Sequence, residues 1–139
     1  MKIIIASDHR GFIIKERIFL QLSSEHSVSN AGPFSENSVD YPDFAHLLAN
    51  KVKKNKNYQG ILICGSGTGM SIVANKHKNI RAALCYNVKS AKLSREHNNA
   101  NVMSIGSRLT KKQTALKCVD TFMKTNFKGG RHLRRIKKI

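Results

Sequence analysis

The 139-residue sequence has no tryptophan, only two prolines and only three cysteines. Cys64, Cys85 and Cys118 are far apart and odd in number, which argues against a disulfide framework and against a cysteine-based metal site. Apolar runs such as residues 3–6 and 61–64 are short, whereas a membrane span needs about 20 apolar residues. A secretory signal is not recognisable either, because polar residues follow the first apolar run. These absences predict a cytoplasmic protein that does not cross a membrane.

Acidic residues are also scarce, with 8 Asp and Glu against 25 Lys and Arg and a formal net charge of +17. Residues 1–50 carry a net charge of −2 and residues 51–139 carry +19. Such asymmetry raises nucleic acid as a partner. The basic residues, however, are scattered over several helical faces without an aromatic platform for stacking bases. We therefore favour a solvated basic surface whose field attracts a phosphorylated small molecule, and we consider nucleic-acid binding unlikely.

Short β-like runs alternate with helical patterns along the whole chain. Strands are predicted at residues 2–6, 26–31, 58–64, 80–85 and 101–105, and helices at 12–24, about 40–54, 88–96 and 110–124, with a short helix after 65–69. Pro42 suits the first turn of its helix, and Thr110 with Gln113 forms a predicted capping box. The alternation predicts one domain over residues 1–139. It would have a three-layer α/β/α, Rossmann-like open parallel sheet of about five strands and a basic tail from about residue 127.

The strongest local signal is the sequence from Cys64 to Gly69, at the junction between a strand and a helix. The alternating glycines Gly65, Gly67 and Gly69 let several backbone N–H groups approach an anion, and the helix start adds positive dipole character. The loop lacks the Lys of a Walker motif and the spacing of a dinucleotide fingerprint. These amides would favour a thiolate at Cys64, so catalysis is preferred here over simple burial. Cys85 and Cys118 have no such setting and are predicted to be packing residues.

Three further clusters could carry chemistry. Residues 8–11 follow the first strand, where burying charged groups is costly unless they bind something. Residues 94–99 end a helix, where His97 alone could simply complement the helix dipole. Residues 129–135 place Arg131 and Arg135 four apart, so that on a helical turn both could grip a phosphate. In such sheets ligands bind at the carboxyl ends of the strands, and we expect every candidate there or in the tail.

Together these motifs resemble the type B ribose-5-phosphate isomerases, a group that includes galactose-6-phosphate isomerase subunits. The resemblance covers nearly the whole chain and runs through residues 7–11, 40–42, 64–69, 71–72, 74–76, 80–82, 94–98, 101–102, 106–108 and 129–132. It implies an aldose–ketose isomerase that converts D-ribose 5-phosphate and D-ribulose 5-phosphate in the pentose phosphate pathway. It also implies a homodimer or tetramer whose sites are shared between subunits, with no cofactor and no metal.

The resemblance implies a role for each matching residue. Cys64 would move the proton between C2 and C1 of the sugar, and His97 would open the furanose ring with help from Ser66. The other implied substrate-binding residues are Asp8 and His9 for the sugar phosphate, Gly65, Ser66, Gly67, Thr68 and Gly69 for the enediolate, Asn98 for the substrate, and Arg108, Arg131 and Arg135 for the phosphate.

Two departures and two alternatives accompany this expectation. Some members have Thr at the position of Ser66, and others have an acidic base where this chain has Met70, which leaves Cys64 as the base.

One alternative is an isomerase of allose or galactose 6-phosphate. Galactose-type enzymes divide the catalytic set between two different subunits, so the presence of both Cys64 and His97 favours a self-sufficient homo-oligomer. An alternative of another class is a non-enzymatic binder of nucleic acid or anionic sugars, whose affinity would fall steeply with salt.

Overall fold

The computed structural model describes all 139 residues and contains five strands and six helices. The strands are β1 (Lys2–Ser7), β2 (Ser27–Asn30), β3 (Tyr58–Cys64), β4 (Ala82–Leu84) and β5 (Val102–Gly106). The helices are α1 (Phe12–Ser23), α2 (Tyr41–Val52), α3 (Thr68–Ala74), α4 (Val88–Asn98), α5 (Lys112–Lys124) and α6 (Arg131–Ile136). None of these helices has both the length and the apolar character that crossing a membrane requires.

The five strands form one parallel sheet in the order β2-β1-β3-β5-β4. The central strands β1 and β3 contain continuous apolar runs because helices cover both of their faces. Ile3, Ile5, Ile61 and Ile63 belong to a core cluster that includes side chains of α1, α4 and α5, whereas Ile4, Ala6, Leu62 and Cys64 belong to a second cluster with α2 and α3. The predicted three-layer α/β/α arrangement with a five-stranded parallel sheet is confirmed.

The chain changes direction across the sheet between β1 and β3. From β1 it proceeds to the edge strand β2, and it then crosses back over β1 to form β3. The carboxyl ends of β1 and β3 therefore border the crevice where open parallel sheets bind ligands. Residues 8–11 leave β1 at this crevice, and the glycine loop leaves β3 beside them.

The predicted boundaries differ from the structure at several points. The strand predicted at 80–85 shortens to β4, because the backbone N–H of Arg81 donates to Oδ1 of Asn101 and not to a neighbouring strand. The capping box of Thr110 and Gln113 is wrong. The N–H of Thr110 donates to the carbonyl of Gly106 within the turn after β5. Helix α5 begins one residue past Lys111, which is its N-cap, with no side-chain cap.

Candidate active site

The glycine loop after β3 adopts a shape that side chains would obstruct. Gly67 has φ of +76°, in the left-handed region, and a Cβ there would lie 2.6 Å from Leu84 Cδ1 and 2.8 Å from the carbonyl carbon of Ile105. A Cβ on Gly69 would lie 2.7 Å from the ring of Tyr41. The loop is therefore pressed against the end of β5 on one side and against the start of α2 on the other. Glycine is required by conformation at Gly67 and by space at both positions.

Cys64 is the last residue of β3; it is 4% exposed and lines a cavity. The backbone N–H of Gly67 donates a hydrogen bond to its Sγ at 3.2 Å. Ser66 is exposed, and its Oγ accepts from the N–H of Thr68 at 3.3 Å. The loop therefore directs one of its amides to the sulfur and presents a hydroxyl beside it.

The segment after β1 holds two of the predicted substrate ligands in fixed orientations. Asp8 is 5% exposed, and its Oδ1 accepts from the N–H groups of Arg10 at 2.9 Å and Gly11 at 3.0 Å. Nδ1 of His9 accepts from the N–H of Val39 at 3.1 Å. Because Nδ1 is an acceptor, the proton of a neutral His9 ring is on Nε2, which leaves Nε2 as a donor.

These elements enclose a cavity of about 400 Å³, within the usual size range of small-molecule sites. It is lined by Asp8, Arg10, Tyr41, Cys64, Gly65, Ser66, Gly69, Arg108 and Leu109. The backbone N–H of Arg108 donates to the carbonyl of Gly65 at 3.0 Å, which ties the turn after β5 to the glycine loop. The cavity thus combines a cysteine, a carboxylate and two guanidinium groups at the β1/β3 crevice. Such a set suits a small anion with hydroxyl groups.

Four predicted residues lie elsewhere in the chain. His97 and Asn98 end α4, and the chain then enters β5 at Val102, so both lie at the amino edge of the sheet. Cys64 pairs with Gly106 at the other end of β5. The four residue steps of β5 from Val102 to Gly106 separate the two edges by about 13 Å. The expectation that every candidate outside the tail lies at a carboxyl end is wrong for His97 and Asn98, because a helix that returns from one strand to the next ends at the opposite edge.

The basic tail lies beside His97 and Asn98. Residues 131–135 form the predicted helical turn, within α6, which packs on α4. Arg131 and Arg135 are both exposed, and the ring of His132 is stacked on that of His97. The chain therefore gathers its predicted site residues in two groups, one at each edge of the sheet.

Sequence reasoning overlooked three residues that line the cavity. Arg10 and Tyr41 lie within motifs already noted at residues 8–11 and 40–42, so their place beside the site could have been inferred from the topology. Leu109 is 72% exposed at the cavity, and no pattern in the sequence singles it out.

The other two cysteines lie in the core beneath the helices. Cys85 is 1% exposed and Cys118 is fully buried. Burial raises the pKa of Cys85 to about 11 and also raises the pKa of Cys118. Both thiols pack against apolar neighbours of the first core cluster, which confirms their prediction as packing residues.

An open parallel α/β sheet with a glycine loop and a cysteine at its switch point is typical of enzymes and binding proteins that act on small molecules. Comparison with known proteins identifies the family. A model of the ribose/galactose isomerase family matches residues 3–139. Ribose-5-phosphate isomerase B of Escherichia coli is 41% identical over 139 residues, covering 99% of this chain and 91% of that protein.

Two solved structures are similar throughout. Ribose-5-phosphate isomerase B of Clostridium thermocellum superposes with a TM-score of 0.97 at 46% identity, covering 99% of this chain and 94% of that one. The enzyme of Mycoplasma genitalium, solved with bound ribulose-5-phosphate, gives a TM-score of 0.95 at 48% identity, covering 99% and 92%. The chain belongs to the ribose/galactose isomerase family.

Proposed function

We propose that this protein is an aldose–ketose isomerase that interconverts D-ribose 5-phosphate and D-ribulose 5-phosphate through an enediolate. The observation that carries the proposal is Cys64, which lines the 400 Å³ cavity beside the glycine loop, with an amide directed at its sulfur. The relatives named for this reaction cover nearly the whole chain, and one of them binds ribulose-5-phosphate. The reaction belongs to the pentose phosphate pathway, and the three free thiols fit a cytoplasmic enzyme.

The chemistry requires a base and a place for negative charge. In the open-chain aldose, the Cys64 thiolate removes the proton from C2 and later delivers it to C1, while the hydroxyl proton on O2 moves to O1. The enediolate oxygens carry the developing charge between these steps. In the loop from Gly65 to Gly69, the backbone N–H groups that are not already bonded to Cys64 Sγ and Ser66 Oγ stabilise that charge. A well-aimed donor of this kind contributes about 3–4 kcal/mol.

The remaining roles belong to groups that bind and open the cyclic sugar. His97 transfers a proton to the ring oxygen while the C1 hydroxyl loses its own, with Ser66 assisting. Asp8 and Asn98 bind sugar hydroxyls. The Nε2–H of His9 and the guanidinium groups of Arg108, Arg131 and Arg135 hold the phosphate.

These roles need two subunits, since His97, Asn98, Arg131 and Arg135 lie at the other edge of the sheet from Cys64. We therefore propose a homodimer, or a tetramer built from dimers. In it, the carboxyl edge of one subunit meets α4 and α6 of the next. Each site then takes its base and amide pocket from one chain and its ring-opening histidine and phosphate arginines from the other.

A coupled assay with ribose 5-phosphate, allose 6-phosphate and galactose 6-phosphate side by side tests this function. We expect the highest kcat/KM with ribose 5-phosphate. A preference for either hexose phosphate would replace the pentose substrate while keeping the mechanism. Absence of turnover with all three, together with nucleic-acid binding that weakens steeply with salt, would establish the binding protein instead.

A further inference from the structure

The imidazole rings of His97 and His132 lie face to face. Their centroids are 4.2 Å apart and their planes differ by 12°. His97 is in the last turn of α4, and His132 is the second residue of α6. A nearly parallel contact at this distance restricts the tilt and the position of both rings.

His132 is the one buried residue of α6. It is 8% exposed, whereas Arg131, Leu133, Arg134 and Arg135 of the same helix are exposed. The contact lies beside a second attachment of the tail. There the N–H of Lys128 donates to the carbonyl of Glu96 at 3.1 Å, and the Lys128 ammonium is 3.1 Å from Oε2 of the same glutamate. The tail is thus fixed to α4 at two successive residues, of which the second is His97.

The charges around the pair favour a neutral His132. Arg131 and Arg135 of α6 and Lys128 of the preceding loop approach it, and the carboxylate of Glu96 is already paired with Lys128. Burial, then His97 and these cations, lower the pKa of His132. A neutral His132 ring places no second positive charge against the face of His97.

We propose that His132 is a positioning residue for His97, holding the ring at the angle that proton transfer to the sugar ring oxygen requires. The inference rests on the proposed function, which assigns ring opening to His97. Proton transfer depends steeply on geometry, and a displacement of about 1 Å can reduce a rate by about 10²-fold. His132 acts through the stack and needs no contact with the substrate.

Two variants separate the flat ring from the imidazole itself. His132→Phe retains an aromatic face against His97, whereas His132→Leu fills the buried space without one. We expect His132→Phe to keep kcat for ribose 5-phosphate within about threefold and His132→Leu to lose about tenfold or more. Exchange of solvent deuterium into ribulose 5-phosphate reports the Cys64 step alone, because the open-chain ketose needs no ring opening. That exchange should stay near the wild-type rate in both variants, a pattern that general destabilisation would not produce.

Proton NMR of the free protein tests the stack without any activity. The Cε1–H resonance of His97 should be shifted upfield by the neighbouring ring in the wild type and in His132→Phe, and it should lose that shift in His132→Leu. A wild-type protein that lacked isomerase activity but showed this shift would refute the proposed function and leave the contact standing. The positioning role is overturned if the wild-type shift is absent, if His132→Leu retains full conversion, or if His132→Phe is as impaired as His132→Leu.

Discussion

The separation of Cys64 from His97 leads to a quantitative test by subunit mixing. In a homodimer with shared sites, a Cys64→Ser subunit paired with a His97→Asn subunit yields one site with both defects and one site with neither. The isolated heterodimer should therefore have about half of the wild-type activity, although each parent is nearly inactive. If both groups acted within one chain, no combination of the two variants could form an intact site. The distance of about 13 Å along β5 is the reason for expecting the first outcome.

Co-expression with two different affinity tags and purification on both isolates the heterodimer. The matched control pairs a wild-type subunit with a subunit carrying both substitutions. Shared sites predict that this heterodimer is inactive, because each site receives one defective group, whereas sites within one chain predict about half activity. The two heterodimers thus have opposite outcomes under the two arrangements. Activity in the control, together with none in the Cys64→Ser and His97→Asn pair, would refute the shared site.

Further predictions concern thiol chemistry, phosphate binding and the core. Iodoacetamide near pH 8 should modify Cys64 before Cys85, because burial raises the pKa of Cys85 to about 11. The modification should abolish activity, ribose 5-phosphate should protect against it, and mass spectrometry locates the label. Replacing Arg131 and Arg135 with Gln should raise the KM for ribose 5-phosphate at least tenfold, about 1.4 kcal/mol. Lys15→Met should lower the free energy of unfolding in urea by about 1–3 kcal/mol, because the fully buried ammonium donates to the buried carbonyl of Pro33 at 2.8 Å.

Two of these predictions have a matched control variant, and each has an outcome that would contradict it. Gln at both Lys137 and Lys138 removes the same charge from the exposed end of the tail and should leave KM unchanged. An equal rise in KM would show that Arg131 and Arg135 act only as solvated surface charges. Met at exposed Arg17 should change stability by less than about 0.5 kcal/mol. Labelling of Cys85 before Cys64 would contradict the burial argument, and an unchanged unfolding curve for Lys15→Met would show that the buried ammonium contributes nothing.

The sheet could be predicted because its central strands carry unambiguous patterns. At their short length, the apolar runs of β1 and β3 indicate buried strands, and β3 has the bounds that the pattern predicts. Predictions from local sequence were wrong where tertiary contacts determine the backbone hydrogen bonds. Thr110 with Gln113 matches a capping box, yet the turn after β5 places Thr110 6% exposed and bound to Gly106. The edge strand β4 is short for a similar reason, since Asn101 takes the N–H of Arg81.

The candidate site was predictable in its parts and not in their arrangement. Strand ends mark residues 8–11 and 64–69, and parallel topology brings them together. The same topology sends the end of α4 to the other edge. The predicted alternation of strands and helices implied this, but the expectation for His97 and Asn98 did not take it into account. The stack of His132 on His97 depends on how the Gly129–Gly130 turn directs α6, and both glycines have positive φ, at 66° and 57°.

The two ends of the strands in a parallel sheet offer different chemistry, and the proposed reaction would use both. Loops at the carboxyl edge present backbone N–H groups, which suit a developing negative charge. The amino edge receives the carboxyl ends of the helices, where cationic groups are favoured, as with His97 in the last turn of α4. The filled core of the sheet prevents one chain from folding one edge onto the other. In the proposed homodimer, the carboxyl strand ends of one copy meet α4 and α6 of the other, so dilution that separates the subunits should abolish isomerisation.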